Sequence, residues 1–562
     1  MITASLASPK KAPDGRAALW LRLLLLWHAL TVIAGLVGAV LVWTAVGAEM
    51  AQWLRILASV LLAALAVGSG TAVYFISRRR HNGRVISLAI NYLGFLFFLV
   101  GGLHLLNFFV GIDSLANTFG RGIPFLLTAF VGYLVSAAGD RYEYNLALRQ
   151  SLQRAGKIIA LASGAAFLLA VGIFSGLGAL LAGLTNGTAV LFVLAAFFFG
   201  LMAWAMWQRP VAKLFNATNA HGEMLDGYLF LSPNLLGFLI FFAGPLLLSL
   251  YVSFTNSDAF GNAEWIGLDN YAKIFDLDAA ALSARDQRAN EVMDATIYSE
   301  LTRFTLFGRS YVIGAQDKLF WIALGNTLKF VLLAVPLSVI PALFLANLLN
   351  SKIPGMRFFR AVYFLPSVAA VVGIALVWQW LYNATIGYIN YGITVSVNFL
   401  NTIGIAAVDP QVRWLSESST ALIAVIIMAA WQWIGFNTVL FMAGLQNIPS
   451  SLYEAATVDG ANPRQQFWRI TLPLLAPTTF FVVTTTVIQA MQVFEQVFIV
   501  MPGQNPAGPQ NATLTMVLYL YQKGFQRFEQ GYASAIAWVL FLLIFGATLF
   551  QFQRQRASGA EG

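Results

Sequence analysis

Residues 451–473 read SLYEAATVDGANPRQQFWRITLP and form a short polar stretch between two long apolar segments. Glu-Ala-Ala at 454–456 favours a helix, and Gly460 supplies a break at which the backbone can take a positive φ. Pro463 is tolerated at the start of a second helix, where its missing N–H costs nothing. The stretch therefore predicts a helix–turn–helix loop held against a membrane.

The composition indicates an all-α polytopic membrane protein. Of the 562 residues, 59% are hydrophobic and 10% are charged, whereas roughly 25% are charged in an ordinary soluble chain. The chain has no cysteine, which excludes disulfides, thiolate metal sites and thiol nucleophiles. The net charge of +9 comes mostly from basic residues in short loops, so the positive-inside rule explains it better than a nucleic-acid partner does.

Segments of about twenty apolar residues are the unit of membrane crossing. Twelve such segments are present: 21–46, 56–77, 85–110, 123–138, 157–182, 189–207, 228–254, 319–349, 358–381, 421–445, 474–500 and 533–552. Lys10, Lys11 and Arg16 precede the first, which is too long for a cleaved signal sequence and is predicted to be retained. Because the number of spans is even, both termini lie on the same side of the membrane. The basic residues cluster in alternate loops, which are predicted to be cytoplasmic, and this places both termini and the loop at 451–473 in the cytoplasm.

Seven positions of the loop occur at a fixed spacing, Glu-Ala-Ala, three residues, Gly, nine residues, Ile-x-Leu-Pro. They are Glu454, Ala455, Ala456, Gly460, Ile470, Leu472 and Pro473. The pattern resembles the coupling loop of binding-protein-dependent ABC importer permeases. Five further stretches in the expected order, among them YLFLSPNLLGF and IGLDNYAKIF, resemble carbohydrate-importer permeases, most closely the maltose/maltodextrin permease of the MalF type.

The resemblance implies a six-helix type I permease core with additions. Residues 1–221 are expected to be N-terminal accessory transmembrane helices, about six where the maltose type has two. Residues 222–254 correspond to the first core helix and 255–318 to an external insert, expected to be a small folded cap. Residues 319–562 correspond to the rest of the core, with the cytoplasmic coupling loop at 446–473.

Energy supply is expected to come from other chains, because no lysine stands in a phosphate-binding loop G-x-x-x-x-G-K-[ST]. The resemblance implies two copies of an ATPase subunit that bind ATP and Mg, a second, MalG-like permease subunit and an external solute-binding protein. This chain is then a translocation subunit without cofactor or enzymatic activity, located in the cell inner membrane. Its expected substrate is a sugar, and the external insert favours maltose or maltodextrin.

The resemblance also assigns roles within the coupling loop. Glu454 is expected to be the charged contact to the ATPase and an anion near a helix N-terminus. Ala455 and Ala456 are small and permit close approach. Gly460 turns the chain, and Asp459 is expected to cap the helix that follows.

Polar and aromatic side chains in the spans are the candidates for substrate contact. Gln489, Gln492 and Gln496 recur at i, i+3 and i+7, which predicts one helix face flanked by Glu495. The other candidates are Trp431, Trp433 and Asn437 on the preceding span and Ser367 after Pro366. The glutamines could equally form interhelical hydrogen bonds. Trp378, Trp380 and Tyr382 are better explained by an interfacial aromatic belt.

A twelve-helix secondary transporter is the alternative function. Such carriers need intramembrane charges for ion coupling and often contain two related halves. Here Glu495 is almost alone as an acid within a span, and the halves look unrelated. None of the four histidines stands in a metal-ligand spacing such as H-E-x-x-H, so no metal site is predicted.

Overall fold

The computed structural model describes residues 15–44, 50, 52–142, 144–173, 178, 181–258, 263–350, 355–501, 503 and 505–557. Lys10 and Lys11 lie outside these residues. The chain divides into two compact units, Met1–Leu235 and Leu236–Gly562. Both are built mainly of long apolar helices, as the composition predicts.

Eight of the described helices begin in the first unit. They are α1 Gly15–Leu41, α2 Gln52–Ser77, α3 His81–Leu105, α4 Phe108–Ala138, α5 Leu146–Val171, α6 Gly187–Trp207, α7 Arg209–Leu214 and α8 Asn219–Phe238. Neighbouring helices α1, α2 and α3 pack in sequence, α3 also packs along α6, and α4 with α5 forms a close antiparallel pair. The buried His28 bonds Ser87 through its Nε2 at 2.7 Å, so it satisfies a polar contact between α1 and α3.

The second unit contains the rest of the elements. Its helices are α9 Gly244–Ser253, α10 Asp269–Phe275, α11 Lys318–Leu349, α12 Met356–Val368, α13 Val371–Leu381, α14 Tyr388–Thr402, α15 Ala421–Gln446, α16 Ser450–Val458, α17 Pro463–Gln466, α18 Leu472–Leu474, α19 Ala476–Met491, α20 Glu495–Val500, α21 Met516–Tyr521 and α22 Gln530–Ala557. Helix α15 lies at the centre and packs against α11, α12, α19 and α20. Fully buried Phe330, Phe441 and Met428 mark this core.

The segment predicted to be an external insert contains a β-sheet as well as helix. Strands β1 Leu277–Leu282, β2 Ser299–Leu306 and β3 Arg309–Ala315 form an antiparallel sheet in the order β1-β3-β2. Phe307 and Gly308 both have positive φ, 50° and 79°, as a two-residue hairpin turn of type I′ requires. The described part of this segment is thus folded, and an all-α description of the chain omits its sheet.

Twelve candidate membrane spans are present among the described residues when each bent helix pair is counted once. Ten are continuous helices, and two are pairs that bend by 98° and 66°. The first pair breaks after Val368, two residues beyond Pro366. The predicted continuous span at 474–500 is wrong, since α19 ends at Met491 and α20 begins at Glu495.

Candidate functional site

The polar loop begins with a helix that ends in a well-defined turn. Helix α16 is followed by Gly460 at φ +78°. The N–H of Gly460 donates to the carbonyl of Thr457 at 3.0 Å, and the N–H of Ala461 donates to that of Ala456 at 2.8 Å. This pair of bonds is the Schellman arrangement, which satisfies the last carbonyls of a helix. The positive φ predicted for Gly460 is confirmed.

The second arm of the loop has its own cap. The Asn462 side chain accepts from the N–H of Gln465 at 2.9 Å, and the Gln465 side chain accepts from the N–H of Asn462 at 2.8 Å. This capping box satisfies two backbone donors at once, with Pro463 at the first helical position. The expected cap by Asp459 is therefore wrong, because Asp459 instead terminates α16.

Glu454 does not lie near a helix N-terminus. The first turn of α16 contains no acidic residue, so Glu454 lies beyond the reach of the positive end of the helix dipole. That part of its predicted role is wrong for geometric reasons. Its side chain is exposed, as is that of Ala455, while Ala456 is half-buried. Glu454 thus retains one feature needed for contact with another chain.

The two arms are tied together and to the core. Gln466 donates from Nε2 to the Thr457 hydroxyl at 3.0 Å, and the hydroxyls of Tyr453 and Thr471 share a hydrogen bond of 2.9 Å. The Phe467 ring stacks on Phe344 of α11 with a centroid distance of 5.9 Å. These contacts make the loop a defined body that is anchored to a long core helix.

Val458 and Trp468 are the most exposed of the large apolar side chains of the loop. Val458 is 88% exposed and Trp468 is 61% exposed. Scattered exposed apolar residues are ordinary, but here they lie on either side of the turn at Gly460, and Val458 also follows Glu454 by one helical turn on α16. The loop therefore offers a charged group with apolar flanks, a composition suited to a groove in a partner.

The predicted glutamine face is not continuous. Gln492 stands after the last residue of α19 with φ −101°, so the helical spacing does not extend to Gln496. Gln489, Gln492 and Glu495 are exposed in the single chain. Gln496 is half-buried and donates to the Gln432 side chain of α15 at 3.3 Å. Gln496 therefore forms an interhelical hydrogen bond, which was the alternative to substrate contact for the glutamines.

The three candidates on α15 also do not share a face. Trp431 is 42% exposed and meets Trp378 edge-on, with centroids 5.5 Å apart. Trp433 is buried against Phe330. Asn437 is buried and accepts a hydrogen bond from Thr486 at 3.4 Å. Since residues two apart point in different directions on a helix, Trp431 alone remains accessible.

Ser367 lies at the break between α12 and α13. Its hydroxyl donates to the carbonyl of Phe364 at 2.7 Å, and the residue is half-buried. That local bond is the usual way in which a serine is satisfied inside a helix. At the end of α12, the N–H of Ala369 donates to the carbonyl of Leu365 at 3.1 Å. This is the last helical hydrogen bond before the break.

Sequence reasoning missed two amides that hold backbone carbonyls of neighbouring segments in the core. Gln379 of α13 donates from Nε2 to the carbonyls of Ile499 and Val500 at 2.9 and 3.0 Å. Asn326 of α11 donates to the carbonyls of Asn511 and Leu514 at 2.9 and 3.1 Å. Irregular backbone inside a membrane protein requires such internal partners. Their signal in the sequence is an amide within an apolar span.

A cavity of about 420 Å³ opens between α12 and the half of α15 that leads into the loop. Arg360 and Gln446 contribute its polar groups, and Arg360 also donates to the carbonyl of Leu349 at 3.3 Å. At Gly435, an added Cβ would lie 2.2 Å from the carbonyl oxygen of Tyr363. Helices α12 and α15 are thus in backbone contact beside the cavity.

Bent apolar spans, amides that bond backbone carbonyls within the core, and an exposed loop with defined caps are features of a membrane transport protein. Within the described residues, no group of three or more histidines, cysteines or acids is placed to hold a metal. Residues 331–557 match the family of binding-protein-dependent transport system inner membrane components. The chain is 34% identical over 332 residues to the probable ABC transporter permease protein YesP of Bacillus subtilis (strain 168), covering 59% of this chain and 90% of that protein.

The chain therefore belongs to the family of binding-protein-dependent transport system inner membrane components. It is also 37% identical over 255 residues to the arabinooligosaccharides transport system permease protein AraP of Halalkalibacterium halodurans, covering 45% of this chain and 75% of that protein. A crystal structure of a bacterial ABC transporter involved in alginate import matches 59% of this chain and 94% of its own, at 22% identity and a TM-score of 0.43.

Family membership makes the chain a multi-pass permease subunit of an ABC importer in the inner membrane and assigns ATP hydrolysis to a separate subunit. It implies a second permease, an ATPase and a solute-binding protein as partners. The secondary-transporter alternative is therefore wrong. The relatives are not specifically maltose permeases, so the MalF-type assignment holds only at the level of the family.

Proposed function

We propose that this chain and a second permease form the path by which an oligosaccharide enters the cell. ATP hydrolysis on two copies of an ATPase subunit drives the step, and an external solute-binding protein delivers the sugar. The observation that carries this proposal is the rigid, exposed loop from Ser450 to Leu474, anchored on α11 through Phe467 and Phe344.

The loop acts as the coupling element. Closure of two ATPase subunits moves rigid bodies, and a permease follows only if a stiff part of it is held. The Schellman turn at Gly460 and the capping box at Asn462 supply that stiffness. Glu454, Ala455 and Val458 form the contact surface, while Asp459 and Gly460 set the angle between the arms. Allostery of this kind needs a physical element biased by both sites.

The loop transmits movement into the core at both of its ends. Helix α15 leads into α16, and α18 leads into α19 across a bend of 66°. A rotation of the loop therefore acts on α15, which carries Trp431, and on α19, which carries Gln489 and is followed directly by Gln492. Hinge-like breaks between helices are the usual places at which such a change is absorbed.

An oligosaccharide is the substrate class best supported by the accessible side chains. The exposed Gln489 and Gln492 supply amide donors and acceptors for sugar hydroxyls, and Trp431 supplies an aromatic surface for a pyranose ring. Glu495 flanks them, while Trp433, Asn437, Gln496 and Ser367 support the path without facing it. The relation to AraP favours an oligosaccharide over a monosaccharide, and maltodextrin is one member of that class.

The loop and both termini of the chain lie in the cytoplasm under this proposal. The loop carries Arg464 and Arg469, and the last helix ends with Arg554 and Arg556, which fits the positive-inside rule. With twelve spans, the two ends of the chain lie on one side. The insert that carries the β-sheet then lies outside the cell.

The test is uptake by the complete transporter reconstituted in liposomes with its solute-binding protein. We expect accumulation of at least one labelled oligosaccharide from a panel that includes maltotriose and arabinotriose, dependent on internal ATP. A matched control omits the binding protein and should reduce uptake to the background. Transport that persists without ATP would contradict the proposed function.

A further inference from the structure

A second, smaller cavity lies at the other end of the core. It has a volume of about 350 Å³ and is lined by the turn after α13, the first turns of α14 and the returning segment at Gln411. Pockets for small molecules typically have roughly 300–1,000 Å³. Helix α15, 26 residues long, separates this outer loop from the coupling loop by about 39 Å at 1.5 Å per residue.

Two tyrosines dominate the rim of this cavity. Tyr388 and Tyr391 are 76% and 67% exposed and stand three residues apart on α14, so they lie on one face. Neither ring packs on another aromatic ring, and neither hydroxyl has a hydrogen-bond partner among the described residues. Aromatic rings left free beside a cavity are available to a ligand.

The floor beneath the tyrosines is rigid. Asn390, which is 7% exposed, donates to the carbonyls of Ala384 and Val412 at 3.0 and 2.9 Å. Its side-chain oxygen accepts from the Trp414 indole at 2.9 Å. One amide therefore joins the turn, α14 and the returning segment, so the positions of the tyrosines are fixed before any ligand arrives.

The wall opposite is polar and held by an acid. The Asp409 carboxylate accepts from the Thr394 hydroxyl and from the Gln411 backbone and side chain. The Thr394 hydroxyl, followed by the Gln411 N–H, keeps the pKa of Asp409 below its usual value, so the acid is ionised at physiological pH. Its bonds orient Gln411, and Gln411 and Thr385 both line the cavity.

We propose that this outer cavity binds one or two sugar rings of an oligosaccharide at the external mouth of the permease. The inference rests on the proposed function. Tyrosine rings stack on the apolar face of a sugar ring, while hydroxyl and amide groups beside them take its hydroxyls. The volume suits one or two rings, so the remainder of a longer chain extends toward the path. The site thereby favours oligosaccharides over monosaccharides.

The test measures sugar binding to the assembled transporter in nanodiscs without its solute-binding protein. The probe is maltotriose or arabinotriose, whichever the wild-type transporter imports, followed by saturation-transfer NMR and titration. We expect the double variant Tyr388→Ala/Tyr391→Ala to weaken outer-site binding about tenfold, the effect of truncating a central aromatic contact. Tyr388→Phe/Tyr391→Phe keeps the stacking and should lose much less.

Phe399→Ala is the matched control, because Phe399 is also on α14, is 63% exposed and does not line the cavity. Equal trisaccharide binding by the alanine pair and wild type would overturn the site. Loss of solute-binding-protein affinity with unchanged trisaccharide binding would also overturn it and assign the cavity to a protein contact. If the wild-type transporter imports no oligosaccharide at all, the proposed function fails. That result is distinct from a failure of the outer site, in which the wild type imports the sugar and the alanine pair binds it equally well.

Discussion

Substitutions of Gly460 should impair coupling to different degrees, in an order set by how well each residue tolerates a positive φ. At φ +78° a side chain has a conformational cost, yet an added Cβ would have no atom within 4 Å. The cost is therefore local to the backbone and amounts to roughly 1–2 kcal/mol for an L-residue. That reduces the population of the observed loop shape about 5- to 30-fold. We expect coupling to fall in the order Gly, Asn, Ala, Val, because asparagine tolerates this region best.

The assay is affinity of the purified permease for its ATPase subunit, followed by ATP-driven uptake in liposomes. Gly546→Ala is the matched control, since its Cβ also meets open space and it lies within helix α22. Helical glycine-to-alanine changes are neutral or slightly stabilising. Wild-type affinity and uptake in Gly460→Ala would refute the reasoning, as would an asparagine variant that is worse than the valine variant.

The remaining predictions concern the contact surface, the path and the core. Glu454→Lys should abolish most uptake while membrane insertion is retained, because it inverts the exposed charge of the loop; unchanged uptake, measured beside a membrane-fraction blot, would remove its role. Gln492→Leu should lower sugar affinity more than assembly, and unchanged affinity by titration would make it a packing residue. Gly435→Ala should destabilise the core by about 1–3 kcal/mol through overpacking against Tyr363, seen as a lower Tm in detergent; an unchanged Tm would mean that α12 can move away.

The sequence predicted the features that depend on local chemistry. Span count follows from apolar length, the turn at Gly460 from the freedom of glycine, and the helix start at Pro463 from its missing N–H. The cap at Asn462 was misassigned to Asp459 because both residue types cap helices, and only the observed backbone shows which one precedes a helical turn.

Features that depend on tertiary contacts were not predictable from spacing. The glutamine face assumed that α19 continues through Gln492, but the chain breaks there and the carbonyls of α20 are taken by Gln379, 120 residues earlier. Trp431 and Trp433 look equivalent in sequence, yet one is accessible and the other packs on Phe330. The β-sheet of the insert was missed because its strands show no strict alternation of apolar and polar residues: β2 exposes six of its eight side chains, whereas β3 exposes only one of seven.

The central claim, that the loop from Ser450 to Leu474 contacts the ATPase, can be tested by site-specific cross-linking. The chain has no native cysteine, so Val458→Cys introduces a unique thiol at an 88% exposed position, and Thr385→Cys places one at the opposite end of the core. The account predicts that Val458→Cys cross-links to the ATPase subunit in an ATP-dependent yield and that Thr385→Cys does not. Cross-linking to the ATPase from Thr385→Cys, or none from Val458→Cys in an active transporter, would contradict it.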